Sequence, residues 1–200
     1  MGETARLVSE AAGENAILVN DVGQNQMLSA RYFRYTSPRS IITSGGLGTM
    51  GFGLPAAIGA KMGAPEREVY LFVGDGGIQM TIQELGTIMQ YGTAVKIVVL
   101  NNNFLGNVRQ WQSLFFNERY SQTKLLNPDF KTLCTAYGIE SIDVATRAEL
   151  PEAIRRLVAS DKPMLLNVNI REEDMVFPMT PVGAAVDYIM INQTETYNPE

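Results

Sequence analysis

The sequence runs to 200 residues, 46% of them hydrophobic and 18% charged, which fits one domain with a packed core. Sixteen Lys and Arg against 21 Asp and Glu leave a net charge of −5, which argues against a nucleic-acid surface, and no apolar run approaches the ~18 residues of a membrane span. Histidine is absent and cysteine occurs once, which excludes Ser-His-Asp hydrolysis, Cys-His nucleophiles, His-bound zinc or haem, cysteine clusters and an internal disulfide.

Predicted strands and helices alternate. Glu3–Ala12 reads as a helix, with Ala5, Leu7 and Val8 apolar among polar neighbours. Ala16–Val19 is a short strand, Gly23–Tyr35 is helical, and Ser40–Thr43 is β-rich. Pro55–Met62 is a helix of small residues suited to close packing, followed by a strand over Val69–Val73, a helix over Ile82–Tyr91 and a strand over Val95–Leu100. Asn127-Pro128 opens a further helix, with Asn as cap and Pro at the first position. It runs to about Tyr137, where Gly138 stops it, and Cys134 falls within it as a core thiol. Thr146 and Glu149 have capping-box spacing before "LPEAIRRLVA", and Pro163–Ile170 is the last strand. The strands are continuous apolar runs, as in a sheet covered on both faces, and their alternation with helices implies right-handed βαβ units. The expectation is an α/β three-layer sandwich with a mainly parallel sheet of about six strands over residues 1–170. Residues 171–200 read as a C-terminal tail that packs on something else or frays.

Glycines gather after the strands: Gly23 after the first, Gly45 to Gly51 after the second, Gly74, Gly76 and Gly77 after the third, Gly106 after the fourth. In an open parallel sheet the carboxyl ends of the strands form the ligand edge, and small-residue loops there let a ligand approach the backbone. Helix N-termini at that edge suit phosphate, so an acidic, histidine-free domain can hold a phosphorylated cofactor. No P-loop is present, and Gly46-Leu47-Gly48-Thr49-Met50-Gly51 matches the G-x-G-x-x-G spacing without a clear acidic partner for a ribose. The sharper signal is Asp75 with Asn102. One helix and one strand separate them, so both return to the same edge of neighbouring strands. A carboxylate and an amide oxygen, completed by phosphate oxygens and water, make the hard-oxygen octahedron that Mg²⁺ prefers.

These residues resemble the thiamine-diphosphate enzymes, whose signature is G-D-G followed at this spacing by N-N. "DVGQNQM" (21–27), "TSGGLGTMGFGLPAAIGA" (43–60), "GDGGIQMTIQELGT" (74–87), "NNNFLGNVRQWQSLF" (101–115) and "FPMTPVGA" (177–184) are similar to the acetolactate synthase (acetohydroxyacid synthase) family, in the diphosphate-binding domain of its catalytic subunit. The resemblance implies that Asp75, Asn102 and the backbone carbonyl of Phe104 hold Mg²⁺. It implies that Gly76 and Gly77 place N–H groups on the diphosphate, beside Gly74, and that Val22, Gly23, Gln24 and Asn25 line the diphosphate end. The family usually carries His at position 25; Asn25 keeps a donor but cannot carry charge. Gly48 and Met50 are expected against the aminopyrimidine, with Met50 as the wedge that bends the cofactor. Gly106, Asn107 and Val108 are expected near its reacting end, and Trp111 is expected to favour 2-ketobutyrate as second substrate.

The implied reaction decarboxylates pyruvate and joins the remaining two-carbon unit to a second 2-oxo acid, in branched-chain amino-acid biosynthesis. The family's pyrimidine-activating glutamate lies on the N-terminal domain of a partner subunit, and FAD is held by a middle domain. The chain therefore reads as a piece of a longer, cytoplasmic protein that forms a dimer or tetramer, with a regulatory small subunit as a further partner, and as inactive alone. Two other readings stand beside it: the diphosphate-binding subunit of a two-chain thiamine-dependent oxo-acid decarboxylase, and a non-catalytic cofactor-binding or dimerisation module.

Overall fold

The computed structural model describes residues 1–197. In chain order, α1 (Gly2–Ala12), β1 (Ile17–Asn20), α2 (Gln24–Tyr32), β2 (Ile41–Ile42), α3 (Gly53–Gly63), β3 (Val69–Gly74) and the short α4 (Asp75–Gln79) make the first half. α5 (Leu85–Tyr91), β4 (Val95–Asn101), α6 (Gly106–Phe115), α7 (Phe130–Ala136), β5 (Glu140–Val144), α8 (Leu150–Ala159) and β6 (Met164–Asn169) follow. β7 (Ile189–Met190) and β8 (Thr196–Tyr197) form a small antiparallel hairpin. The first six strands make one parallel sheet in the order β2-β1-β3-β4-β6-β5. The α/β three-layer arrangement is the one that the apolar runs call for.

Side chains alternate across the pleat and feed two cores. Val69, Leu71 and Val73 of β3 join Ile97 and Val99 of β4 in one core, with Leu54 and Ile58 of α3, Ile88 of α5 and Phe130 and Cys134 of α7. Tyr70 and Phe72 face the opposite core, with Val8 of α1 and Ile154 and Leu157 of α8. Lys96 is the exception inside β4. Its stem is fully buried, and Nζ donates to the carbonyls of Ser160 and Lys162 just beyond α8.

Several local expectations change. The helix expected over Gly23–Tyr35 ends at Tyr32, because Phe33 turns extended (φ −77°, ψ 138°) and buries its ring in the core of Ala5 and Val8. The helix expected to open at Asn127-Pro128 opens at Phe130. Its cap is Asp129, whose carboxylate accepts from the Thr132 N–H at 2.8 Å. The capping box before α8 is half built: Glu149 accepts from the Thr146 and Ala145 N–H groups at 3.0 and 2.8 Å, while its own N–H donates to the Thr146 backbone carbonyl. β5 carries no apolar run. It is the sheet's edge, so Glu140 and Asp143 stay in water while Val144 is buried.

The segment after β6 does not leave the domain at once. Arg31 of α2 donates to the carbonyls of Phe177 and Pro178 at 2.8 and 3.2 Å, and Val176 is 2% exposed. The last three residues of the expected tail, 198–200, lie outside the described residues.

Cys134 is fully buried and unpaired, and burial, with a smaller push from Asp143, takes its thiol up to about 12. A thiol shielded and protonated in this way is inert. A thiol reagent at pH 8 is expected to leave the folded chain unmodified and to consume one thiol per chain in denaturant. Rapid labelling of the native chain would contradict the packing.

Candidate functional site

The strand order reverses beside β1: the chain steps from β1 out to β2, then returns to β3 on the other side. The carboxyl ends at such a reversal leave a crevice, because their loops diverge. Loops after β1, β3 and β4 here line one cleft with about 580 Å³ of empty space. Val22, Gly23, Gln24 and Asn25 supply one wall, and Gly74, Asp75, Gly76 and Gly77 the floor. Asn102, Phe104, Gly106, Asn107 and Val108 supply the other wall, and Met50 reaches in from the loop before α3.

The polar end is built around Asp75, which is 1% exposed. Burial pushes its carboxyl up from the usual range, against a hydrogen bond from the Asn127 side chain and backbone donors at Asp75, Asn103 and Gly76. The β4 loop beside it is tightly folded. Asn102 Oδ1 accepts from the Phe104 N–H at 3.2 Å, and Asn103 sits at φ 59°, a conformation that Asn tolerates better than most residues. A backbone bridge steadies the loop: Leu105 N–H donates to Thr123 O, and Leu125 N–H to Asn103 O, both at 2.8 Å. Arg109 packs its guanidinium over the rings of Phe104 and Tyr120, with 4.8 and 4.7 Å to the centroids.

Beyond Asp75 the polar groups of the cleft are backbone and amide, beside the apolar side chains of Met50, Leu105 and Val108. α2 and α6 both begin at it without a side-chain cap, so their first-turn N–H groups and dipoles are available to an anion. No Lys or Arg is among the lining residues. Gly76 and Gly106 are there for space. A Cβ on Gly106 would collide with Gln24 Oε1 and come within 2.8 Å of Asn102 Nδ2, and one on Gly76 would meet Leu105 Cδ2 at 2.9 Å. Gln24 is pinned: Nε2 donates to Gln110 Oε1 and to the Asp174 carbonyl, both at 2.9 Å, which leaves Oε1 buried without a partner. Asn25 Nδ2 donates to the Val22 carbonyl at 2.8 Å, and its Oδ1 is likewise unpartnered. Buried orphan acceptors in a cleft mark places where a ligand, a water or a hydrated ion completes the bonding.

Two residues singled out in the sequence are not in this cleft. Gly48 ends the turn after Gly45–Leu47 in a left-handed conformation (φ 59°), with open space around its Cα. Trp111 is one turn beyond Val108 on α6 and lines a neighbouring groove with Val108, Gln112, Phe116 and Arg119. Its ring stacks tilted on Phe115, with centroids 4.9 Å apart. Val108 belongs to both the cleft and the groove, because residues three apart share a helix face. Conversely, Asn127, Gln110 and Arg109 support the cleft without having drawn notice in the sequence as site residues. Asn-Pro read as a helix start, and an isolated Gln or Arg on a helix gives no spacing signal.

Among the described residues no group of three or more His, Cys, Asp and Glu side chains is gathered to hold a metal, and no helix is long and apolar enough to cross a membrane. A single carboxylate, carboxamide and carbonyl oxygens, and uncapped helix ends therefore define an α/β domain suited to a phosphorylated ligand. The family model for the C-terminal TPP-binding domain of thiamine pyrophosphate enzymes matches residues 21–168. The chain belongs to that family. It is 47% identical to the acetolactate synthase large subunit of Lactococcus lactis subsp. lactis (strain IL1403), over 92% of this chain and 32% of that protein. It is 45% identical to the acetolactate synthase isozyme 2 large subunit of Escherichia coli (strain K12), over 89% of this chain and 33% of that protein. It is 44% identical to the mitochondrial acetolactate synthase catalytic subunit of Saccharomyces cerevisiae (strain ATCC 204508 / S288c), over 90% and 26%. The resemblance carried by the sequence motifs is thus borne out, and the chain spans about a third or less of these relatives.

Proposed function

We propose that the cleft binds thiamine diphosphate with Mg²⁺, as the cofactor half of an acetolactate-synthase active site. That site would decarboxylate pyruvate and join the two-carbon unit to a second 2-oxo acid, pyruvate or 2-ketobutyrate, in branched-chain amino-acid biosynthesis. The observation that carries the reading is that Asp75, Asn102 and Phe104 line one glycine-rich cleft, beside uncapped helices.

The donor set fits the ion. Asp75, Asn102 and the Phe104 carbonyl are hard oxygen ligands, and three ligands leave room for diphosphate oxygens and water in an octahedron. With no basic side chain lining the cleft among the described residues, the ion and the helix ends together would offset the diphosphate charge. Gly76 and Gly77 offer backbone N–H groups to the phosphates, beside Gly74, and the loop from Val22 to Asn25 closes that end. Met50 would be the apolar wedge against the cofactor. Gly106, Asn107 and Val108 flank its reacting end, and Trp111, through the groove it shares with Val108, selects the second oxo acid. Bound thiamine diphosphate supplies a nucleophilic carbon at C2 of its thiazolium ring. The chain's own residues would hold the diphosphate, set an apolar wedge against the cofactor and keep the reacting end apolar. The pyrimidine-activating glutamate of a partner subunit and an FAD-holding middle domain complete the enzyme, which we place in the cytoplasm as a dimer or tetramer.

Calorimetric titration tests the reading. Thiamine diphosphate is expected to bind in the presence of Mg²⁺ and to lose measurable binding in excess chelator. Thiamine without its diphosphate is expected not to bind under either condition. Equal binding of thiamine, or indifference to the chelator, would sink the assignment.

A further inference from the structure

We propose that Asn127 is a positioning residue of the metal site, holding the Asp75 carboxylate and the Asn101–Asn103 loop in one fixed arrangement. The proposal rests on the reading of Asp75 and Asn102 as metal ligands. Asn127 Nδ2 donates to Asp75 Oδ2 at 2.7 Å, and it lies 3.0 Å from both Asn101 Oδ1 and Asn103 Oδ1. One amide group therefore ties the carboxylate on α4 to both neighbours of Asn102 on the β4 loop. The two proposed side-chain ligands come from different segments, the start of α4 and the loop after β4, and this amide spans them beside the Asn103 backbone donor to Asp75.

The amide cannot turn over. Its Oδ1 accepts from Gln79 Nε2 at 2.8 Å, and Gln79 Nε2 also donates to the Asp75 backbone carbonyl at 3.0 Å. A flipped Asn127 would set its oxygen against a carboxylate and two amide oxygens, and its NH₂ against the Gln79 donor. Gln79 thus fixes Asn127, and Asn127 fixes Asp75. The bond to Oδ2 is a charge-assisted one, short and strong for its class. It engages Oδ2 and holds the carboxylate in one orientation, which suits Mg²⁺, an ion that demands near-ideal octahedral geometry. Asn127 is free for this because Asp129 caps α7.

The test uses Mn²⁺ in place of Mg²⁺, with bound and free ion distinguished by electron paramagnetic resonance, on the whole chain with saturating thiamine diphosphate. Asn127→Ala is expected to weaken Mn²⁺ binding about 10- to 100-fold, the range typical for partners that orient a ligand. Gln79→Met is expected to weaken it less, and to add much less in the Asn127→Ala background than it costs alone, because its bond to the Asp75 carbonyl is all that is left for it to lose there. A residue that merely packs would give additive losses, and additive losses overturn the proposal. Unchanged affinity in Asn127→Ala, with binding lost in Asp75→Asn, overturns it while leaving the metal reading intact. If Asp75→Asn binds as the unsubstituted chain does, or that chain binds no Mn²⁺, the metal reading and this proposal fall together. Should Asn127→Ala fail to fold, Gln79→Met alone decides: undiminished affinity overturns the proposal.

Discussion

Asp75→Asn is expected to abolish Mg²⁺-dependent binding of thiamine diphosphate while leaving the ligand-free fold at least as stable as before. The two effects have opposite signs because one carboxylate does two things. Among the described residues it is the only charged side chain lining the cleft, and so the one that would face a bound ion. Removing one partner of a desolvated charge pair costs about 2–5 kcal/mol, or roughly 30- to several-thousand-fold in affinity. Without the ion, the hydrogen bonds to a carboxylate that is 1% exposed do not make up for its lost hydration, which is why its pKa stands above the usual range. For an acid raised in this way, the penalty is present above the folded pKa and relieved as pH falls through it. Asparagine removes that penalty at pH 7 and still offers an oxygen to Asn127 Nδ2. Calorimetry with and without Mg²⁺, alongside thermal unfolding of the ligand-free variant, checks both halves. Retained Mg²⁺-dependent affinity, or a clear drop in melting temperature, would count against the role assigned to Asp75.

Gly77→Ala is expected to be among the most damaging single-methyl additions in the chain. A Cβ there would collide with Asp21 Oδ2 and lie 3.1 Å from Asp21 Cγ. Asp21 cannot step aside cheaply. It is fully buried at the end of β1, and its Oδ1 accepts from the Gly53 N–H at the start of α3 at 3.0 Å. Gly53 itself is wedged against the Leu71 side chain, where an added Cβ would come within 2.7 Å of Cδ1. Relief must therefore move α4, with its Asp75, or break the Asp21–Gly53 bond. Overpacking costs about 1–3 kcal/mol, and a buried hydrogen bond left unmade about 1–3 kcal/mol more. For a chain of this size that lowers the melting temperature by on the order of 10 °C. The contrast is Gly59→Ala, on an exposed turn of α3 where a Cβ meets nothing within 4 Å. That substitution is expected to stabilise by about 0.5–1 kcal/mol through helix propensity. Thermal unfolding of the pair decides it: equal midpoints would show that the close contact at Gly77 carries no energy.

The sheet was legible because its strands are apolar on both faces. "VYLFV" and "VKIVVL" admit no amphipathic alternative, and burial of every position in β4 follows from that pattern. The candidate ligands were legible for a related reason. A βαβ unit returns each strand to the same edge, so Asp75 after one strand and Asn102 after the next had to share it. β5 was not legible. An edge strand needs only part of its surface covered, and "ESIDV" carries charges that a central strand would refuse.

Length, pattern and motif spacing were enough for the α/β class, the cofactor family and the loops that line the cleft, since these depend on which residues are neighbours along the chain. Partner choice depends on contacts between residues far apart in the sequence, and there the reading ran out. Asn-Pro satisfies the rule for a helix start, yet Asp129 takes the cap and Asn127 turns to Asp75, which no local rule anticipates. Gln110 looks like any polar residue on a helix until the fold brings Gln24 and the backbone of Val176 to its amide. Trp111 sits beside the cleft and not in it, because the pitch of α6 sends Val108 to both surfaces and the indole to one. In each case several local choices were of nearly equal energy, and the packing of the two cores around the sheet selected among them.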